Sequence, residues 1–233
     1  MISSQSPDVS PIAHLLVSWI VAAKTTDNER DRQLVTWAGV LPDVDGLGII
    51  VDGANHLLHR PQTDYYHDLH HFWTHGLPAA IVIPVLLACF ARRKQSLGLW
   101  PFKTKNIPSA LASLVRENGR IFLLAFLVFH LHLLCDIVGS RGPDLSDRWP
   151  IIYLAPIKNK LWIDWHGQWQ LDGWQNKTIF IWWFFWSLKI AVDKGFSVVG
   201  LFSRKADRVF VSILREWTQQ LGYGGAIPPR TET

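Results

Sequence analysis

Five apolar segments, separated by polar stretches, constrain this chain more than any other feature. They cover residues 12–23, 34–41, 76–91, 121–138 and 178–192. Alternating β-branched patterns are absent outside short pieces such as 151–154, so the segments predict helices rather than strands. We expect an all-α helical bundle of about five apolar helices. One long loop rich in Trp, Gly and Pro is expected at residues 139–177.

The lengths of these segments indicate a membrane. A membrane-spanning helix needs about 20 apolar residues, and the third and fourth segments lie near the lower limit of that length. The stretch between them is basic (residues 92–120), as is the one after the fifth segment (204–208). Both would lie in the cytoplasm by the positive-inside rule, which is consistent with three spans. We predict a membrane-embedded or membrane-associated protein of the bacterial inner or plasma membrane type. A soluble bundle with a very apolar core is the alternative.

The net charge of the chain indicates which kinds of partner it could bind. Twenty-three Lys and Arg residues against nineteen Asp and Glu residues give a net charge of +4. This excess is too small and too scattered to form the basic stripe of a nucleic-acid-binding protein. It does suit an anionic membrane surface, so we expect the lipid bilayer as a partner and no nucleic acid. The oligomeric state stays open.

Histidines and aspartates gather at the ends of the apolar segments. His14 lies in the first segment, and His132 and Asp136 lie in the last turns of the fourth. Asp43 and Asp45 lie in the sequence LPDVDGLG, which predicts a turn. Residues at i and i+4 of a helix share a face, and residues at i and i+2 of an extended turn point to the same side. Each pair therefore presents its side chains together.

A third histidine-rich stretch, YYHDLHHFWTH at residues 65–75, precedes the third segment. The third and fourth segments are predicted to be antiparallel, so the start of one and the end of the other lie at the same end of the bundle. Within this stretch, His71 and His75 would chelate from a regular helix because they are four residues apart. Pairing His70 with His75 requires His70 to precede the first helical turn.

Four chain segments thus bring imidazoles and carboxylates towards one point. Each group alone has an ordinary interpretation, as a core histidine, a helix cap or the polar end of a helix. Burying all of these polar and titratable groups inside apolar segments costs free energy, which indicates that they serve a common purpose. The donors are those of a divalent metal site, with Zn²⁺ first and Mn or Fe as alternatives. They exceed what one ion needs, so one or two ions are expected.

A resemblance follows from these motifs. The sequences AHLLVSW, LPDVD, HHFWTHG and HLLCD occur in that order. They resemble the family of membrane-bound metal-dependent hydrolases, whose members show GHLL, LPDID, HRGxTHS and HxxxD. The likeness covers roughly residues 1–160, which we treat as a hydrolase-like helical domain. Residues 161–233 would form an aromatic helix and a basic C-terminal segment packed on that domain. More distantly, the pattern is similar to the all-helical zinc-dependent phospholipase C and nuclease fold, which implies phosphoester hydrolysis.

The resemblance also assigns individual residues. It places His70 on the first histidine of HRGxTHS, whereas helical spacing favours His71, which stands where the family has Arg. Gly76 stands where the family has Ser. Asp68 and His71 are predicted to orient ligands or to act as general base. The predicted metal ligands are His14, Asp43, Asp45, His70, His75, His132 and Asp136.

The sequence therefore predicts a membrane-associated metal-dependent hydrolase that uses metal-activated water. Its substrate would be a phosphoester or a lipid-derived ester, bound at a non-cytoplasmic end of the bundle. A haem protein is an alternative, with His75 and either His130 or His132 as axial ligands. The carboxylates favour the hydrolase because haem coordination has no use for them. A non-catalytic membrane protein with a structural metal site is the other alternative.

Overall fold

The computed structural model describes residues 10–70, 73–91, 118–157 and 161–222. Within these residues the chain is mainly helical, which confirms the predicted all-α class. The helices are α1 Ser10–Thr25, α2 Glu29–Ala38, a 3₁₀ helix Leu41–Leu47, α3 Gly48–Leu57, α4 Tyr65–Leu69, α5 Leu77–Ala91, α6 Gly119–Gly139, α7 Trp174–Lys194, a second 3₁₀ helix Val198–Leu201 and α8 Arg204–Gln220. Two short strands, β1 Ile151–Ile152 and β2 Trp162–Ile163, pair antiparallel within the long loop.

Local chemistry explains where several helices begin and end. The side chain of Asn28 accepts hydrogen bonds from the backbone N–H groups of Arg30 and Asp31, and so caps the start of α2. Helix α7 ends at Gly195, whose φ of 78° places it in the left-handed region that glycine tolerates. Helix α2 begins five residues before the second apolar segment because this cap, rather than hydrophobicity, sets its first turn.

The region after α2 differs from the turn that the sequence predicts at LPDVDGLG. LPDVDGLG forms the first 3₁₀ helix, and α3 follows it directly. Pro42 lies in the first turn of the 3₁₀ helix, where its missing N–H costs nothing. The Asp52 carboxylate holds α3 beside α4, since it accepts hydrogen bonds from the Thr63 hydroxyl and from the N–H groups of Tyr65 and Tyr66. These contacts join residues far apart in sequence, so local patterning does not predict them.

Helix α6 lies at the centre of the bundle. Its Val128 packs with Ala22 of α1 and Val35 of α2 in one core cluster. Its Phe129 packs with Ala80 of α5 in another. Helix α6 thereby holds its neighbours α1, α2 and α5 around the end that carries His132 and Asp136.

Among the described residues, α6 is the one helix that is long and apolar enough to cross a membrane unaided. Helix α2 and the segment Leu41–Leu57 pass the same test only as a pair, bent by 50° at the break between them. Helices α1 and α5 are apolar but shorter than a full span. Leu123, Leu127 and Leu134 project from α6 as exposed side chains. Large outward apolar surfaces of this kind mark a lipid or protein contact.

The long loop is tied to α6 by the buried side chain of Gln168. Its amide nitrogen donates to the carbonyl oxygens of Asp136, at 2.9 Å, and Ile137, at 3.2 Å. Its amide oxygen accepts from the backbone N–H of Trp149 at 3.0 Å. Gln168 therefore adds a donor to the Asp136 carbonyl, which also accepts from the N–H of Ser140, and it supplies one to the carbonyl of Ile137 in the last turn of α6. These contacts fix the loop beside Asp136.

Candidate metal centre

Thr74 positions the short connection, residues 73–76, that carries His75 into the bundle. Its backbone N–H donates to Asp45 Oδ2 at 3.2 Å, and its hydroxyl donates to the carbonyl of Pro42. The connection is therefore fixed to the 3₁₀ helix. His75 projects from it and is completely buried.

The hydrogen bond made by one ring nitrogen of His132 determines whether the other nitrogen carries a proton. His132 Nδ1 lies 2.9 Å from the carbonyl oxygen of Gly39. A carbonyl only accepts, so Nδ1 carries the proton. In the neutral ring, Nε2 then presents a lone pair. Gly39 is available for this role because α2 ends at Ala38, which frees the carbonyl groups of its last turn.

His75 is held in the same tautomer. Its Nδ1 lies 3.2 Å from Asp45 Oδ2, and an ionised carboxylate only accepts. Nε2 of the neutral His75 ring therefore also presents a lone pair. A histidine that binds a metal commonly donates its other N–H to a carboxylate or a carbonyl, as these two rings do.

Four donor atoms converge on one point. The Nε2 atoms of His75 and His132 are 3.1 Å apart. Asp136 Oδ2 lies 3.1 Å from His132 Nε2 and 3.6 Å from His75 Nε2. Asp43 Oδ1 lies 3.5 Å and 3.8 Å from the same two nitrogens. Two nitrogens bound to one tetrahedral zinc ion are roughly 3.3 Å apart, so this spacing fits a metal ion.

A further observation supports a cation at this point. The Oδ2 atom of Asp43 is buried and has no hydrogen-bond partner in the described part of the chain. Burying such an atom without a partner is costly. The partnerless Asp43 oxygen and the lone pairs on the two rings are therefore consistent with a metal ion, which these buried histidines and aspartates could hold.

The pKa of His75 shows how strongly this environment attracts positive charge. Burial alone would lower the pKa of the ring, which lies in the connection before α5. The carboxylates of Asp43 and Asp45 outweigh burial and raise that pKa to about 9. A proton on Nε2 can therefore bridge to His132 in the absence of metal, and a metal ion would displace it.

His14 and His70 lie on either side of the four converging donors. His14 Nε2 is 3.0 Å from Asp136 Oδ1, whereas the Nε2 atoms of His75 and His132 approach Asp136 Oδ2. His70 Nδ1 is 2.9 Å from Asp45 Oδ1, and its ring stacks on Tyr66 with centroids 4.8 Å apart. His70 forms a possible donor group with Asp43 and His75, and His14 forms another with Asp43 and His132. We refer to all seven residues as the cluster: His14, Asp43, Asp45, His70, His75, His132 and Asp136.

The positions of Asp43 and Asp45 differ from the extended turn that was predicted. In a 3₁₀ helix, residues two apart do not share a face, because each residue advances by a third of a turn. Asp43 accordingly reaches the Nε2 side of His75, and Asp45 reaches its Nδ1 side. Both Asp45 oxygens are engaged by histidine N–H groups. This arrangement suits a residue that orients ligands better than one that binds the ion.

Four other details of the sequence-based prediction have different outcomes. His71 lies outside the described residues. Asp68 is exposed on α4. His75 does not lie in a regular helix, since residues 73–76 are non-helical and α5 begins at Leu77. At Gly76, an added Cβ would lie 2.7 Å from the carbonyl oxygen of Ala155, so the serine of the resembling family would not fit without a backbone shift.

The haem alternative is not favoured by this geometry. Axial ligands lie on opposite sides of the iron, about 4 Å apart or more, whereas His75 Nε2 and His132 Nε2 are 3.1 Å apart. His130 Nδ1 donates to the carbonyl of Phe126, and its Nε2 accepts from the Tyr153 hydroxyl. Both nitrogens of His130 are therefore occupied by protein groups.

The fold and the site together define an all-α membrane protein with a buried cluster of histidines and aspartates at one end of its bundle. The model of the YdjM inner membrane protein family matches residues 11–205, which is most of the chain, so the chain belongs to this family. The family confirms the predicted membrane localisation and bilayer partner. The match runs to residue 205 and so includes α7. It shows an inner membrane protein family, and the resemblance to metal-dependent hydrolases stays a prediction. No curated protein and no solved structure matches the chain.

Proposed function

We propose that this protein is a metal-dependent hydrolase of the inner membrane. The observation that carries the proposal is the convergence of two imidazole Nε2 atoms and two carboxylates on one buried point. Hydrogen bonds at the far side of each ring fix the tautomer that a ligand requires. We assign the ion to His75, His132, Asp136 and Asp43. Zinc is the first choice because nitrogen and oxygen donors at tetrahedral spacing suit it.

A second ion is consistent with the remaining donors. Asp43 belongs both to the group with His14 and His132 and to the group with His70 and His75. Asp43 would then contribute to both sites, as shared carboxylates do in two-metal phosphoesterases. His14 would help to hold one ion and His70 the other.

The chemistry follows from the donor set. When bound, a divalent ion provides hydroxide at neutral pH and polarises the ester oxygen under attack. The chain contributes the fixed orientation of its donors: Asp45 holds His70 and His75, and the Gly39 carbonyl holds His132. Burial of the histidines strengthens their electrostatic interactions because bulk water is excluded. We propose phosphoesters or lipid-derived esters as substrates.

Hydrolysis measured on the purified full-length protein tests this function. We expect the detergent-solubilised protein to cleave bis-p-nitrophenyl phosphate or p-nitrophenyl acyl esters, to lose activity after chelation and to regain it with zinc or manganese. Asp43→Asn should lower kcat/KM by about 100-fold or more, since one donor and its charge are removed. Asp193→Asn is the control, because that carboxylate lies on the surface of α7 and pairs with Lys189. Asp68→Asn tests the predicted general base.

Cleavage that is insensitive to both chelation and Asp43→Asn would come from another protein and would contradict the proposal. Stoichiometric metal without cleavage of any ester would favour the non-catalytic alternative.

We further propose that the cluster faces away from the cytoplasm. Arg120 lies at the start of α6, whereas His132 and Asp136 lie towards its other end. The positive-inside rule assigns the Arg120 end to the cytoplasm. We expect alkaline phosphatase inserted at Leu145, in the loop after α6, to be active, and the same insertion at Asn118, before α6, to be inactive. The reverse pattern would contradict this orientation.

A further inference from the structure

A cavity of about 210 Å³ lies beside the cluster, where the start of α1, the end of α6, the start of α7 and the long loop meet. Its walls are mainly hydrocarbon and indole. They include Ala13, Leu134, Trp169, Leu171, Ile179 and Trp183. A cavity with such walls accepts an apolar group far more readily than a polar one.

Among the residues that the structure describes, four polar side chains line the cavity, namely those of His14, Asp136, Ser140 and Asn176, and the amide nitrogen of Asn176 already donates to backbone carbonyl groups. His14 and Asp136 line it, and they pair with each other at 3.0 Å. Its lining within the described residues contains no lysine or arginine. A phosphate inside the cavity would therefore have no lysine or arginine to neutralise it. The walls suit a hydrocarbon chain, and the cluster suits the polar group at the end of that chain.

The two helices that line the cavity, α6 and α7, also carry exposed apolar side chains close to it. Leu134, one of its wall residues, is 53% exposed on α6, the helix that can cross the membrane. On α7, Ile181, Trp182 and Phe185 are exposed close to the wall residues Ile179 and Trp183. In a membrane these outward side chains contact acyl chains, so a chain can enter between α6 and α7 without crossing water.

We infer that this cavity binds one hydrocarbon chain of a membrane lipid and presents the polar end of that chain to His14 and Asp136. The volume holds roughly seven groups of the size of a water molecule, which corresponds to part of one chain rather than a whole lipid. Lipid binding itself does not depend on catalysis. The further conclusion that the substrate is a lipid ester rests on the proposed hydrolase function.

Photolabelling of the full chain in vesicles tests the inference. The vesicles would contain phosphatidylethanolamine and phosphatidylglycerol, with a trace of phospholipid carrying a diazirine on the part of one acyl chain closest to its ester, which is the length that the cavity can hold. We expect adducts at the wall positions 135–140, 169–171, 179 and 183, in addition to adducts on outward residues such as Leu123 and Leu127. Ala13→Phe should fill the cavity and reduce the cavity adducts several-fold. Ile12→Phe is the matched control, because Ile12 is exposed on the same helix.

A second pair of variants covers the case in which Ala13→Phe does not fold. Ile179→Phe fills the cavity from α7, and Ile181→Phe adds the same bulk to the exposed face of that helix. The adducts on Leu123 and Leu127 should stay constant in all four variants. Cavity adducts that persist in both filling variants, or adducts confined to outward residues, would overturn the inference.

Metal content and ester hydrolysis, measured on the same samples, separate this inference from the proposed function. Cavity adducts in a protein that binds no metal would support lipid binding while contradicting the hydrolase. Metal binding and hydrolysis without cavity adducts would overturn the lipid site alone.

Discussion

His132→Gln is expected to abolish stoichiometric metal binding, whereas His130→Gln, two residues away on α6, should leave it unchanged. His132 Nε2 faces His75 Nε2 and Asp136 Oδ2 at 3.1 Å each, so its loss removes a donor from the centre of the cluster. His130 is occupied by the Phe126 carbonyl and the Tyr153 hydroxyl and has no part in the cluster. Elemental analysis of protein purified in detergent without chelators measures the difference.

Two further variants are expected to reduce metal binding by different amounts. Asp136→Asn should resemble His132→Gln, because it removes a negatively charged oxygen from the same point. Asp45→Asn should weaken binding by about 10- to 100-fold without abolishing it, as is typical for residues that orient ligands through a hydrogen bond. Equal metal content in His132→Gln, His130→Gln and the wild type would show that the cluster is not a metal site.

The His132 and Asp136 arrangement was predictable because α6 is regular. Helical spacing places two residues four apart on one face, and the apolar sequence from Ile121 to Val138 leaves no doubt about the helix. The structure accordingly brings His132 Nε2 and Asp136 Oδ2 to 3.1 Å. The all-α class was predictable for the same reason, since uninterrupted apolar segments of this length specify helices whatever their neighbours are.

The roles of the Asp45 carboxylate and the Gly39 carbonyl in the cluster could not be predicted from helical spacing. The role of Asp45 depends on the 3₁₀ geometry of its segment and on a connection, residues 73–76, whose path Thr74 fixes through contacts 29 and 32 positions away in sequence. The Gly39 carbonyl belongs to the backbone, and a sequence pattern carries no signal for a carbonyl that accepts from a distant histidine. Asp43 and Asp45 were predicted to join the cluster, but the reason given, an extended turn, was wrong.

The outcome for His70 shows the limit of spacing arguments. Regular helical spacing favoured His71, yet His70 follows the last residue of α4 and its backbone φ and ψ of −65° and 137° are extended. That conformation lets the ring reach Asp45 from outside any helix. When a candidate metal ligand lies between two helices, the path of the backbone determines which groups its side chain can contact. That path depends on tertiary contacts.

The close approach of three helices at Gly39 leads to the second prediction with a large expected effect. An added Cβ would collide with the Ser18 side chain of α1 and would lie 2.7 Å from Val128 Cγ1 of α6. Gly39→Ala should therefore displace α1, α2 and α6 from one another at this contact, at a cost of about 1–3 kcal/mol in the free energy of unfolding. The same displacement moves the Gly39 carbonyl away from His132 Nδ1, so metal affinity should fall by about 10- to 100-fold.

Gly53→Ala is the matched control for this substitution. Gly53 lies inside α3 with no atom within 4 Å of an added Cβ, so alanine should raise stability by about 0.5–1 kcal/mol through helix propensity. Thermal unfolding in one detergent, together with metal content, reports both effects. Gly39→Ala could instead unfold at the wild-type temperature and retain its metal. In that case the close packing of α1, α2 and α6 at Gly39 does not hold His132 in position. If Gly39→Ala loses metal while Gly53→Ala does not, the break after α2 is what orients this ligand.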